Sequence, residues 1–269
     1  MMATTILPAT DALVAELELW LDAEESAYQQ AKMAWVTSRH SGAEPERGFR
    51  CNWDAVKTHW RGGFSTLDVI VVDGSALGFL SGTDVLEIHP DHRGLGYGKQ
   101  LADTMIQRAV ADNLSVLEIQ IAPKSAERFW VNQGFIPDHA DIHHRGGLYA
   151  HRKLPRSFQL GSGLRIPIVV EFYDERQITP GGPPFNRHEG QGELLPDGVI
   201  QLPCRLHGYD ASLQSNEENH IRIAVAGREI YFERAKYGAE HGARRDRNGH
   251  HYIDSITTAE GLPGYWQFP

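Results

Sequence analysis

The stretch Asp84-Val-Leu-Glu-Ile-His-Pro-Asp-His-Arg-Gly-Leu-Gly-Tyr-Gly98 decides how the rest of the chain is read. Val85 to Ile88 are apolar or β-branched apart from Glu87, and Pro90 stops the strand they imply. From Lys99 to Asn113 the spacing turns helical, with Leu101, Met105, Ile106, Ala109 and Val110 on one stripe. Arg93 to Gly98 therefore sits between a strand's end and a helix's start. Unpaired backbone N–H groups and the positive end of the helix dipole favour an anion there. Glycines at 94, 96 and 98 remove the Cβ atoms that would hold a pyrophosphate away and permit positive φ where the loop needs it. The expected ligand carries phosphate.

Two common phosphate motifs do not fit. The dinucleotide fingerprint requires a parallel strand, turn and helix at the start of a βαβ unit. Here the preceding text is a hairpin, Leu67 to Val72 and Ala76 to Leu80 around Asp73-Gly74. A Walker loop is excluded because no Gly-Lys-Ser/Thr follows the glycines.

Leu86-Glu87-Ile88-His89-Pro90 and Arg93-Gly94-Leu95-Gly96-Tyr97-Gly98 resemble the acyl-CoA-binding motif of the GCN5-related N-acetyltransferase (GNAT) superfamily. A second motif of that family, an aromatic pair at a helix end followed by Gly-Phe, is matched by Ala126, Phe129, Trp130, Gly134 and Phe135. The resemblance covers roughly residues 4 to 154. It implies an α/β fold, a mixed α+β sheet with flanking helices, and acetyl-CoA or another acyl-CoA as co-substrate. By the same resemblance the donor is held by Ile88, Arg93, Gly94, Leu95, Gly96, Tyr97, Gly98, Lys99, Phe129 and Trp130. The acyl-pantetheine arm is expected between the central strand and the strand Ser115 to Ile121, where the two splay apart.

N-acyl transfer needs a neutral amine, a polarised carbonyl and a thiolate able to leave. The resemblance assigns the carbonyl to a backbone N–H on the central strand, that of Ile88 or a direct neighbour. Asp84, four residues before Ile88, is the first candidate for the base; its other reading is a turn residue after Ser81-Gly82. Glu87 has the opposite strand parity and is the second candidate, brought round only by a bulge. Trp130 stands where the family usually has a tyrosine acid, and an indole N–H does not protonate a thiolate. Because a thiol of this kind titrates near roughly 8.5, the thiolate can leave without that acid. The same departure also suits a protein that binds acyl-CoA without turning it over. Tyr97 and Tyr149 are substitutes by position only.

Composition narrows the partners. The chain has 269 residues, 26 Lys and Arg against 35 Asp and Glu, and a formal charge of −9, with the acidic excess in both halves. General nucleic-acid binding is disfavoured, an aminoacyl-tRNA acceptor being the exception kept open. The expected partners are an amine-bearing small molecule, peptide or protein, and a second copy of the chain. Cys51 and Cys204 give neither a disulfide framework nor a Cys-type metal site. His139, His143 and His144 read as a polar surface loop, so no metal is expected. No apolar run is long enough to span a membrane and no secretory signal opens the chain, which together read as cytoplasmic.

Along the chain, Thr4 to Leu7 reads as a strand and Thr10 as a helix cap. Leu13, Leu17, Trp20 and Leu21 form one helical stripe, and Ala27, Ala31, Ala34 and Trp35 suggest a second helix after Glu24. Asn52 reads as the cap of a short helix with Trp53, Val56 and Trp60. Gly134 to Pro137 and Leu148 to Lys153 read as a closing antiparallel pair. Pro155 to Gly163 marks a change of rhythm and a boundary between domains 1–154 and 155–269. Beyond it, strands are expected at Ile166 to Phe172, Val199 to Leu206, Ile221 to Val225, Glu229 to Glu233 and Tyr252 to Thr257. They imply a mainly-β domain, a small sandwich or barrel, with a charged loop from Glu233 to His251.

Overall fold

The computed structural model describes residues 3–83, 85–140, 147–177, 182–213 and 216–258. After strand β1 (Thr4–Pro8), extended backbone at Thr10 lets its hydroxyl accept from the Leu13 N–H at 3.3 Å, and α1 (Asp11–Thr37) begins. Val14, Leu17, Trp20 and Leu21 form its buried stripe. The two helices expected around Glu24 are one. No Pro or Gly interrupts Glu24-Glu25-Ser26, and the Ser26 hydroxyl donates to the Asp22 carbonyl on the same helix at 2.8 Å. Helix α2 (Arg50–Arg61) also starts earlier than expected. The Phe49 carbonyl accepts from the Asn52 N–H at 2.9 Å, so Asn52 lies inside the first turn and does not cap it.

Strands β2 (Leu67–Val72) and β3 (Ser75–Ser81) form the expected hairpin, with Asp73 at φ 48° and Gly74 at φ 89° in its turn. With β4 (Val85–Ile88) they complete an antiparallel sheet of order β1-β2-β3-β4. Leu67 and Val69 join the α1 and α2 core, where the Trp53 and Phe79 rings lie 4.8 Å apart. Asp68 has the opposite parity and pairs with Arg108 Nη2 at 2.6 Å, which puts α3 (Tyr97–Ala111) on the other face. Cover on both faces explains why β2 and β3 read as nearly unbroken apolar runs.

Strands β5 (Val116–Ile121), β6 (Ile136–Asp138) and β7 (Leu148–Lys153), with helix α4 (Glu127–Asn132) before β6, form a sheet of order β5-β7-β6. Among the described residues β4 and β5 belong to different sheets, each as an outer strand.

The remaining strands among the described residues are β8 (Arg165–Tyr173), β9 (Asn186–Leu194), β10 (Ile200–Gly208), β11 (His220–Val225), β12 (Arg228–Arg234), β13 (Ala243–Arg245) and β14 (His251–Ile256). They make one antiparallel sheet of order β12-β11-β8-β9-β10-β14-β13, a single layer where two facing sheets were one of the expected forms. A seven-residue 3-10 segment, Ala235–His241, links β12 to β13, the two outermost strands. Seven flat strands would put these edges roughly 29 Å apart, and seven 3-10 residues reach only about 14 Å. The sheet is therefore curled into a half-barrel around Ile166, Ile168, Val170, Phe172, Ile221, Ile223 and Ile253. Strand β9 had no sequence signal: opposite Phe172, Val170, Ile168 and Ile166 of β8 it places Asn186, His188, Gly190 and Gly192. Gly192 is required by close approach, since a Cβ there would lie 2.4 Å from Ile200 Cγ2. The loop expected from Glu233 to His251 contains the 3-10 segment and β13.

The chain gathers into two compact units, one with residues up to Ala109 plus Glu118–Pro137, the other with Val110–Leu117 plus residues from Asp138 onward. Buried polar groups tie 112–115 into the second unit. Arg205 clasps Asp254 with two bonds of 2.8 Å and donates to the Leu114 carbonyl and to Asn113 Oδ1. Asp246 Oδ2 accepts from both the N–H and the hydroxyl of Ser115, at 2.8 and 2.7 Å, while Oδ1 accepts from the N–H groups of Asn248 and His250. Burial pushes the Asp246 carboxyl up, but the donors from His250 and Ser115 outweigh it and hold the group well below the usual carboxylate range. The stabilisation is therefore fully present above the unfolded value near about 4 and is lost as pH falls below it. Asp246→Asn should destabilise the chain at pH 7 by about 1–3 kcal/mol. It should also flatten the loss of stability below about pH 4, which denaturant unfolding between pH 3 and 7 measures.

Candidate active site

All residues of this site lie in the first unit. Ile88 ends β4 and faces Gly78 of β3 in a pair without mutual hydrogen bonds, the neighbouring bond running from the His89 N–H to the Leu77 carbonyl at 2.8 Å. The N–H and C=O of Ile88 therefore point away from β3, toward the side on which β4 has no ladder partner. Both are taken by side chains. Glu87 Oε1 accepts the Ile88 N–H at 3.0 Å, and Arg93 Nε donates to the Ile88 carbonyl at 3.0 Å. Arg93 Nη2 closes the loop on Glu87 Oε1 at 2.9 Å and lies 3.5 Å from Glu24 Oε1. Burial pushes the Glu87 carboxyl above the usual range, with Arg93 and the Ile88 N–H pulling the other way. Gly78 is a glycine for packing reasons, because a Cβ there would meet the Glu87 carbonyl and Ile88 Cδ1 at 2.5 Å.

Past Pro90 the chain makes a 3-10 turn to His92, returns to extended backbone at Arg93, and enters α3 at Tyr97. Gly94 and Gly96 take φ of 78° and 90°, and a Cβ at either would meet nothing within 4 Å, so the loop is open on the side these positions face. The Gln100 N–H donates back to the Gly96 carbonyl at 3.3 Å. The helix's own bonds start there, and the N–H groups ahead of it have no intrahelical acceptor. Gly98 differs from the expectation: its φ is not positive and it lies in the first turn of α3, where a Cβ would touch the Phe129 ring at 3.4 Å. Leu95 is exposed, Tyr97 is buried, and the Lys99 ammonium is held by Asp103 at 2.6 Å.

The structure thus brings together Glu87, Ile88, Arg93 and the loop to Lys99, with Phe129 against Gly98. Arg93 points back at β4 rather than out over the glycines. Trp130 is buried between Phe129 and Phe135, at centroid distances of 4.9 and 5.3 Å. Asp84, His143 and His144 lie outside the described residues. Glu24 was missed by the sequence reading. It sits one turn past Trp20 on α1, its Oε2 is buried without a hydrogen-bond partner, and Trp20 packs on His89 at 5.2 Å. The signal that could have found it is the spacing itself, an acid at i+4 from a buried Trp. Among the described residues no group of three His, Cys, Asp or Glu is placed to hold a metal, and no helix is long and apolar enough to cross a membrane.

Residues 25–135 match the model of the acetyltransferase (GNAT) family. Similar solved structures include a GNAT-family acetyltransferase from Staphylococcus aureus Mu50, 15% identical with a TM-score of 0.41, covering 56% of this chain and 99% of that one. A GCN5-related N-acetyltransferase from Rhodopseudomonas palustris is 18% identical with a TM-score of 0.41, covering 57% of this chain and 98% of that one. The PaiA N-acetyltransferase of Thermoplasma acidophilum, solved with coenzyme A, is 11% identical with a TM-score of 0.39, covering 56% and 99%. No curated protein matches the chain. With the family match spanning the strand, the glycine loop and the aromatic pair, residues 25–135 are a GNAT-family acetyltransferase domain.

Proposed function

We propose that the chain transfers an acetyl or other short acyl group from acyl-CoA to an amine, by direct attack of the amine on the thioester. The observation that carries this reading is Ile88, whose N–H and C=O face the open side of β4 directly ahead of the glycine loop that starts α3. In the reading, the pyrophosphate of the donor lies on the N–H groups of residues 94 to 99, and the thioester oxygen takes the Ile88 N–H. The acceptor is a small molecule or peptide amine, and the setting is cytoplasmic. Acceptor amines titrate near about 10, so a base must take a proton before or during attack. Glu87 has its carboxylate engaged by Arg93 and Ile88, which leaves Asp84 as the proposed base, on its place in the sequence alone, four residues before Ile88. The departing thiolate, with a pKa near roughly 8.5, needs no tyrosine.

One observation favours a second reading, an acyl-CoA-binding module without turnover: the residue at the usual tyrosine position is the buried Trp130. Thiol release from acetyl-CoA across a panel of amines separates the two. Release above the amine-free rate supports transfer, and CoA-dependent thermal stabilisation with no release supports the module.

Two substitutions test the assignment. Gly96→Val places a β-branched side chain at φ 90° in the open loop and should weaken CoA binding by about five- to thirtyfold, since such backbone costs roughly 1–2 kcal/mol before any steric block. Unchanged calorimetric affinity in a folded variant would move the phosphate site elsewhere. Asp84→Asn should lower kcat by about 10²–10⁴-fold with little change in CoA affinity. Full activity of that variant from pH 6 to 9 would remove Asp84 from the mechanism.

A further inference from the structure

We propose that Glu87 and Arg93 form a latch on Ile88 that an acyl-CoA donor has to open, making Glu87 a positioning residue that sets donor affinity. The inference rests on the donor reading above. The two polar groups of Ile88 are those a strand edge offers to a ligand, and each is already occupied from within the chain. One carboxylate oxygen, Glu87 Oε1, receives both the Ile88 N–H at 3.0 Å and Arg93 Nη2 at 2.9 Å, while Arg93 Nε covers the Ile88 carbonyl at 3.0 Å. The two side chains hold each other in place, so opening at one group loosens the other.

The pair is built to move. The Arg93 side chain is half exposed, with 50% of its surface in solvent, so its guanidinium turns outward at little desolvation cost. Glu24, 3.5 Å from the same guanidinium and with Oε2 buried and unpartnered, offers Arg93 a second carboxylate when Glu87 lets go. Glu87 reaches Ile88 through its own chain, one residue away, and gives up that bond by a side-chain rotation with the strand undisturbed. A thioester carbonyl competes with Glu87 for the N–H, and a pantetheine amide competes with Arg93 for the C=O. Apparent donor affinity is then reduced by the fraction of molecules in which the latch is open.

The test compares two probes by calorimetry on the full chain. Acetyl-CoA carries the arm that reaches Ile88, and adenosine 3′,5′-bisphosphate carries phosphate without the arm. Glu87→Ala should tighten acetyl-CoA by about tenfold, the worth of one charge-assisted bond in net terms, and should leave the bisphosphate unchanged. Glu87→Gln keeps an oxygen for the N–H but loses the charge facing Arg93. It should shift acetyl-CoA in the same direction by less, and it carries the test if the alanine variant does not fold. A purely structural ion pair would leave acetyl-CoA unchanged or weaken it while the bisphosphate binds normally, and that result overturns the latch with the donor reading intact. Failure of the wild-type chain to bind acetyl-CoA overturns the donor reading and the latch with it.

Discussion

A strand edge with buried polar groups has to be satisfied, and in this chain that constraint falls on Ile88. The residue is almost fully buried, it ends an outer strand, and its pairing register turns both its N–H and its C=O away from the neighbouring strand. Leaving either group without a partner would cost about 1–3 kcal/mol. The sequence meets the demand locally, with an acid directly before Ile88 and an arginine five residues after it. That solution also explains two features that would otherwise be unconnected. Arg93 faces back toward the strand although it opens a glycine-rich loop, and Glu24 of the first long helix comes to lie against the same guanidinium.

Division of labour follows from the same geometry. The glycines at 94 and 96 shape the loop through positive φ and leave the α3 N-terminus uncovered, whereas Gly78 serves packing under the end of β4 and Gly98 lies beside the Phe129 ring, where a Cβ would make an ordinary contact. Two carboxylates share one arginine in the site, Glu87 at 2.9 Å and Glu24 at 3.5 Å. Burial pushes the Glu87 carboxyl upward, and the Arg93 contact opposes it. Such a group responds strongly to whatever displaces its partner.

The second unit depends on a different arrangement, in which polar groups are buried only when saturated. Asp246 accepts four hydrogen bonds from main-chain and hydroxyl donors. Arg205, itself buried, is satisfied by Asp254, Asn113 and a carbonyl, and stacks over Tyr252 at 3.9 Å. Residues 112–115 join this unit because these anchors reach them, with Arg247 on Asp112 adding an exposed pair of the kind that contributes little. Nothing in the local sequence of 112–115 announces that membership, since the anchoring side chains, Arg205, Asp246 and Arg247, all come from far along the chain.

By itself the sequence determined the elements whose signals are local. The Asp73-Gly74 turn needed only residues tolerant of positive φ, the strands of the first sheet were legible as apolar runs, and the glycine loop was legible because a strand stop and a helical stripe flank it. The mainly-β character of the C-terminal part was readable from alternation in β8 and β11. Tertiary structure decided what depends on partners distant in sequence. Strand β9 exists because β8 and β10 pair with it, not because its own polar and glycine residues favour extension. Helix α1 runs unbroken past Glu24 because a polar stretch without Pro or Gly follows whatever the rest of the helix dictates. The curl of the seven-stranded sheet comes from a short connection between its two outer strands. The roles of Glu87 and Glu24 were hidden for the same reason: strand parity predicts the face of a side chain, but not that a carboxylate folds back onto the next residue's N–H, nor that an acid some sixty residues earlier completes its environment.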